Sequence, residues 1–324
     1  MTRPLKLSLL LGADYDRTRA LCNGTVKAEG VDLAIDIIDS PHDAFAEILA
    51  SDRYDGGEMS FSFHSTLLSK FGDQHEFVGL PVFLSRMFRH GNILVNTHAG
   101  ITEAKQLEGR IVGIPEYGVT MGVWIRGILM HEYGVRPEKI HWRTGRPPAA
   151  LAPEVVRYPE GLDIQRDGDQ YAHVQMLSEG KLDAYVGPVP TKMPPNVRRL
   201  FPDYGRLERA YYRKTGIFPI MHFLVLRRRV LRDNPWLAAS LYRAFCAARD
   251  QALEILSTSS VLKVTLPWLL TAVEEQTEAM GGDIWSYGFR QNRATIAAFL
   301  DYAHEQGLLW RKLAPEEMCM DEAS

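Results

Sequence analysis

The stretch RIVGIPEYGVTMGVWIRGILMHEYG, Arg110 to Gly134, opens as a buried strand and runs on as a long helix. Pro115, Glu116, Tyr117 and Gly118 make the turn between them. The turn gathers a carboxylate, a phenol, a threonine and an arginine: Glu116, Tyr117, Thr120 and Arg126. Two readings follow. In one, Glu116 serves the helix dipole and pairs with Arg126, a charge set in the apolar run 123–130 that needs a partner. In the other, the free backbone N–H groups at the helix start attract an anion, Thr120 adds a hydroxyl, and Gly118 and Gly122 admit the ligand closely. Neither GxxxxGK nor GxGxxG occurs, so a phosphate loop is not indicated.

Outward from this stretch, strand-like and helix-like runs alternate, the pattern of an α/β chain. Strands are expected at 5–11, 31–38, 58–62 opening into a helix to 71, 77–83, 93–95, 111–114, 139–143, 184–187 and 223–226. Helices are expected at 43–50, 103–107, 119–133 and 174–179, and over most of 234–306. Residues 144–169 read as a long polar connection, and RRLFPD as a loop. A second αβ block followed by a helix-rich tail suggests a chain that starts in one lobe, crosses to another and returns. The crossovers fall near 89–92 and 215–220. Lobe 1 is then 1–90 with 219–324, including the helical C-terminal region, and lobe 2 is 91–218. A cleft between lobes is a common small-molecule site.

The 324 residues carry a net charge of −3, with 46% hydrophobic and 24% charged side chains. With a pI near 6.4 there is no strongly basic face to expect, and no nucleic-acid partner. The first run, 5–11, is broken by Lys6 and Ser8 and reads as a strand rather than an export signal. No apolar run approaches the ~20 residues of a membrane span. No membrane partner and a cytoplasmic location are the expectation. Cys22, Cys246 and Cys319 have no metal or pairing spacing.

LEGRIVGIPEY, a long helix and then SEGKLDAYVGP resemble the type II periplasmic-binding-protein fold, two lobes around a ligand cleft. YDRTRAL, EMSFS, PVFLSRMFRHGNILVN, PEYGVTMGVWIRGIL, TGIFPIMH and GDIWSYGFRQNRATIAAFLDYAHEQGL are narrower. Together they resemble the 4,5-dihydroxyphthalate decarboxylase family, over about residues 6–313; the loop 146–169 does not match. The resemblance implies a carbon–carbon lyase of aromatic catabolism. It removes one carboxylate from 4,5-dihydroxyphthalate, giving protocatechuate and CO2, with no organic cofactor. A non-catalytic solute-binding protein for an aromatic acid is the alternative, and a lyase for another hydroxylated benzoate is a third reading.

An aromatic dicarboxylate calls for arginines, whose forked donors meet carboxylates bidentately. Arg17, Arg86, Arg89 and Arg126 lie within the distinctive motifs, and Arg19 reads better as a surface pair. Decarboxylation of such a ring needs an acid that delivers a proton to the carbon losing its carboxylate, and a base for the phenol. His90 and His222 lie at the crossovers and are the candidate shuttles. Glu58 is a base or orients a histidine, and Glu116 and Tyr117 meet the hydroxyl edge of the ring. Ser60 and Thr120 are hydrogen-bonders to substrate or helix caps. Trp124 is a ring wall or a core residue; Phe218, Tyr211 and Tyr212 are further walls. No metal is expected; a divalent ion would fall to His64, His90 and His222, though no HxH or HxxxH spacing supports it. The tail serves a homo-oligomer interface or completes lobe 1.

Overall fold

The computed structural model describes residues 3–145, 155–167, 169 and 172–321. Residues 146–154 and 168 of the connection expected at 144–169 lie outside these. The first five strands share one sheet: β1 (Leu5–Leu11), β2 (Val31–Ile37), β3 (Gly56–Ser60), β4 (Phe77–Gly79) and β5 (Ser85–Arg86). The next six form a second sheet: β6 (Ile93–Asn96), β7 (Ile111–Ile114), β8 (His141–Thr144), β9 (Ile164–Arg166), β10 (Ala184–Val186) and β11 (Val197–Arg199). β12 (Ile220–Arg227) returns to the first sheet and lies antiparallel between β3 and β4. The chain therefore leaves the first sheet after Arg86 and re-enters it at Ile220.

The helices are α1 (Arg19–Cys22), α2 (Pro41–Ala50), α3 (Phe61–Phe71), α4 (Thr120–Tyr133), α5 (His173–Ser178), α6 (Tyr204–Thr215), α7 (Arg228–Asp233), α8 (Leu237–Ser257), α9 (Leu269–Met280) and α10 (Phe289–Glu305). Local chemistry explains several bounds. Ser40 caps α2 by accepting the Asp43 N–H, with Pro41 in the first turn, so the helix starts before the expected 43. The strand expected at 77–83 stops at Gly79, ahead of Pro81, which has no N–H to give a ladder. α6 was not anticipated: YGRLERAYYRKT is mostly polar and charged and buries only Tyr211, so few apolar residues mark it. The short strands β9 and β11 were missed for the same want of apolar pattern.

β1 reaches β3 closely because of Gly57: a Cβ there would collide with the Leu10 carbonyl. That approach brings the start of the loop after β1 against Glu58. The sheets are joined by aromatic packing. α10 lies along α4, with Phe299 against Trp124 and Phe61, and Tyr302 edge-on to Trp124. Burying each such ring contributes roughly 1.5–3 kcal/mol. The Trp124 indole N–H donates to the Ile220 carbonyl at 2.8 Å, tying α4 to β12. No helix among the described residues is long and apolar enough to cross a membrane.

Candidate active site

β3 and β12 place Ser60 opposite His222 and Glu58 opposite Leu224. Residues two apart on a strand share a face, so Glu58 and His222 project to the same side. Glu58 is fully buried, while the His222 side chain is 20% exposed. Nδ1 of His222 lies 2.7 Å from Glu58 Oε1. The same oxygen accepts the Tyr15 hydroxyl at 2.7 Å, and Oε2 accepts the Gly12 N–H at 2.8 Å. Burial pushes the Glu58 carboxyl up, but His222, Tyr15 and Gly12 outweigh it and hold it below the usual carboxylate range. Burial and the Glu58 charge push the Tyr15 phenol far up, so it remains a donor. Phe45 packs edge-on against His222 at 4.9 Å. With Nδ1 held by a carboxylate, Nε2 is the nitrogen left to take and return a proton.

Beside this cluster the Arg17 guanidinium lies between the Tyr15 ring at 4.2 Å and the Trp285 ring at 4.3 Å. Arg17 donates to the Leu84 carbonyl from Nε and Nη2 and reaches Asp16 at 3.2 Å. Trp285 meets Phe218 edge-on, and Phe218 covers Arg86 at 4.5 Å. Arg86 is buried and donates to the Phe218 carbonyl at 2.7 Å and the Ser286 carbonyl at 2.9 Å. Burial pushes its guanidinium down from the usual arginine range. Arg89 has softer partners, the sulfurs of Met221 and Met87 and, at 3.4 Å, Asn92 Oδ1.

The decisive comparison is with the curated relatives. A 4,5-dihydroxyphthalate decarboxylase of Comamonas testosteroni is 34% identical over 97% of this chain and 96% of its own length. The chain belongs to the 4,5-dihydroxyphthalate decarboxylase family. A second relative of that name, from Pseudomonas putida, is 32% identical over 57% of this chain and 70% of its own length. No protein-family model matches the chain. Among solved structures, a periplasmic sulfonate-binding protein from Methylobacillus flagellatus is similar over 99% of this chain and 93% of its own, with TM-score 0.56 and 12% identity. A desulfurization enzyme is similar over 98% and 97%, with TM-score 0.53 and 15% identity. These likenesses show a fold of the two-lobed periplasmic-binding-protein kind.

In this decarboxylase-family chain, one expectation for the turn at 115–120 is overturned. Glu116 does not pair with Arg126. Its Oε1 accepts the Gly118 N–H at 2.7 Å and the Tyr158 hydroxyl at 2.6 Å. Arg126 is fully buried, donates to Gln306 Oε1 at 2.7 Å and the Tyr117 carbonyl at 2.8 Å, and lies 3.8 Å over the Tyr117 ring. Tyr117 is itself buried against Trp142 and Tyr158, and Trp124 is buried in the α10 packing. Ser60 Oγ and Thr120 Oγ1 meet at 2.9 Å. The Ser62 N–H donates to Thr120 Oγ1 at 3.1 Å, and Ser62 Oγ to the Gly118 carbonyl at 2.6 Å. Ser60 and Thr120 thus clasp the starts of α3 and α4 together.

The histidines are dispersed. His90 is buried among the rings of Tyr133, Phe201 and Tyr211, and its Nδ1 has no partner among the described residues. His64 lies 3.1 Å from His75 and packs on Phe223. Phe223 and His222 alternate along β12, so His64 lies on the opposite face of the sheet from His222. Among the described residues no group of three or more His, Cys, Asp and Glu that could hold a metal is formed. His64, His90 and His222 therefore do not make the ligand set weighed from sequence. Arg19 is an exposed pair with Asp14. The sequence reading passed over Gly12, Tyr15 and Trp285 as site residues. The signal was present, because YDRTRAL sets Tyr15 two residues before Arg17, and GDIWSYGF holds Trp285.

Proposed function

We propose that the protein removes one carboxylate from 4,5-dihydroxyphthalate, or a close hydroxylated aromatic acid, giving protocatechuate and CO2 from the former. The observation that carries this is the carboxylate-backed imidazole, His222 on Glu58, part-open beside Arg17 and an aromatic wall. The names of the two relatives agree with it.

The reaction divides into two steps. A hydroxyl para to the leaving carboxylate gives up its proton, and its electrons move into the ring. The carbon bearing the carboxylate takes a proton and becomes tetrahedral. The C–C bond then breaks, CO2 leaves, and the bond's electron pair restores the aromatic ring as a phenolate, which takes a proton back on oxygen. The net change is one proton gained and one CO2 lost. His222 Nε2 is the group we assign to proton transfer, Glu58 fixes its tautomer and balances its charge, and Tyr15 and Gly12 fix Glu58. Arg17 meets an anionic edge of the ring, with Trp285 as a wall. We also place the lobe boundaries at 90/91 and 218/219 and the reaction in the cytoplasm.

The test is an anaerobic assay of chelator-treated protein with 4,5-dihydroxyphthalate, following CO2 and protocatechuate. Stoichiometric turnover supports the reading. Turnover that needs an added divalent ion would move the proton chemistry away from His222 alone. Tight binding without turnover would favour a solute-binding protein, the reading that the likeness to sulfonate-binding folds suggests.

A further inference from the structure

β12 carries a bulge just before His222. Ile220 pairs with Arg86 and His222 with Ser85, so Met221 is an extra residue that the short strand β5 does not match. Bulges beside a reacting group re-aim the side chains next to them. Here the bulge sets Ser85 directly opposite His222, and such cross-strand partners share a face with Cβ atoms about 5 Å apart. Both side chains are part-exposed. Arg17 donates to the carbonyl of Leu84, the residue before Ser85, and so fixes β5 against the loop after β1. The Ser85 hydroxyl donates to the Tyr15 phenol oxygen. Tyr15 donates in turn to Glu58 Oε1 at 2.7 Å, and the same oxygen meets His222 Nδ1 at 2.7 Å. Ser85, Tyr15 and Glu58 therefore form a one-way chain of hydrogen bonds that ends on a buried carboxylate. A hydroxyl accepts as well as donates, so Ser85 Oγ can receive a further donor from the open side.

We infer that Ser85 accepts the reacting hydroxyl of the substrate ring, and that Ser85 and Tyr15 pass its proton to Glu58 while His222 protonates the ring carbon. The inference rests on the proposed reaction and adds a separate acceptor for the phenol proton. The substrate O–H bond breaks as Ser85 Oγ gains that proton. Ser85 gives its own proton to Tyr15, and Tyr15 gives its own to Glu58. The electron pair of the hydroxyl enters the ring, and the ring carbon takes the Nε2 proton of His222. After CO2 leaves, the phenolate recovers its proton from Glu58 through the same groups in reverse. The proton on carbon is then replaced on His222 from solvent. The two transfers are coupled through Glu58. While His222 is charged, it holds the Glu58 carboxyl down; once the imidazole gives up its Nε2 proton, that hold weakens and burial favours the neutral acid. Glu58 becomes the better base as the phenol loses its proton. Arg17, 4.2 Å over the Tyr15 ring, is the cation that flanks the relay.

The test compares Ser85→Ala and Ser85→Thr with the wild type, with thermal unfolding to establish that each is folded. In kcat/KM for 4,5-dihydroxyphthalate, Ser85→Ala should lose about tenfold or more at neutral pH. Its ratio to the wild type should rise toward one as pH approaches about 10, the ordinary value of a phenol, because the substrate hydroxyl then ionises without help. Ser85→Thr keeps a hydroxyl and should recover most of the loss. In calorimetric titration, Ser85→Ala should weaken 4,5-dihydroxyphthalate about fivefold and leave phthalate, which has no hydroxyl, unchanged. A ratio that does not change with pH, no recovery in Ser85→Thr, or equal weakening of both ligands would each overturn the inference, because each marks a purely structural part for Ser85. Failure of the decarboxylase reading has a different signature: the wild type itself does not turn the substrate over. The titration then decides, since a loss confined to the hydroxylated ligand keeps Ser85 as the hydroxyl's acceptor, and a loss in both ligands or in neither removes it.

Discussion

Glu58 Oε1 lies 2.7 Å from His222 Nδ1, although 164 residues separate them in the chain. Two strands that run antiparallel in the first sheet bring them together, and Tyr15 and Gly12 from the loop after β1 complete the cluster.

If His222 carries the proton, His222→Asn should lower kcat by about 100-fold to 10,000-fold, the usual contribution of a general acid–base group. Glu58→Gln keeps the size of the side chain but loses the charge that balances the imidazolium, so it should also fall steeply. Steady-state kinetics together with thermal unfolding checks both. Retained turnover in the folded His222→Asn protein would remove His222 from the reaction.

Tyr15→Phe deletes one hydrogen bond that favours ionised Glu58. The Glu58 carboxyl should then rise, so it protonates at a higher pH. The acid limb of the kcat/KM profile should move to higher pH, with a loss of about tenfold at neutral pH. A uniform loss without movement of that limb would assign Tyr15 to packing alone.

His90 should matter to acid stability rather than to turnover. Burial pushes its imidazole down to about 4. The unfolded chain takes up that proton near pH 6.5 and the folded protein only near 4. Its contribution is therefore fully present above about pH 6.5 and is lost as pH falls toward 4, by on the order of 3 kcal/mol. His90→Leu should flatten that part of the stability curve, read from urea midpoints between pH 7 and 4, with kcat within a few-fold of wild type.

Gly127 faces α10, and a Cβ there would collide with the Tyr302 ring. Gly127→Ala gains about 1 kcal/mol of helix propensity but forces α4 and α10 apart at a cost of about 1–3 kcal/mol. A lower urea midpoint with an unchanged slope is expected. A higher midpoint would mean that the α4–α10 packing gives way easily.

The sequence by itself determined the α/β alternation, the return of the chain to its first sheet and the family, because strand and helix periodicities and fixed-order motifs are local. It also offered Glu58, His222, Arg17, Arg86 and Arg89 as site residues by chemical type. It did not say where the side chains around Glu116 would turn. α4 is buried at nearly every position from Gly122 to Leu129, so its sequence has no solvent face from which to infer direction. Tyr117, Trp124 and Arg126 accordingly read as cleft or core residues alike, and they pack inward. Arg126 found Gln306, 180 residues away, where sequence proximity had offered Glu116. His90 follows Arg89 in the chain yet lies among rings, while Arg89 lines a cavity with Arg86 and Phe218. Tertiary structure alone decided which of His64, His90 and His222 met a carboxylate. Strand register fixes the facing of every second residue, and that register is set by pairing between distant segments.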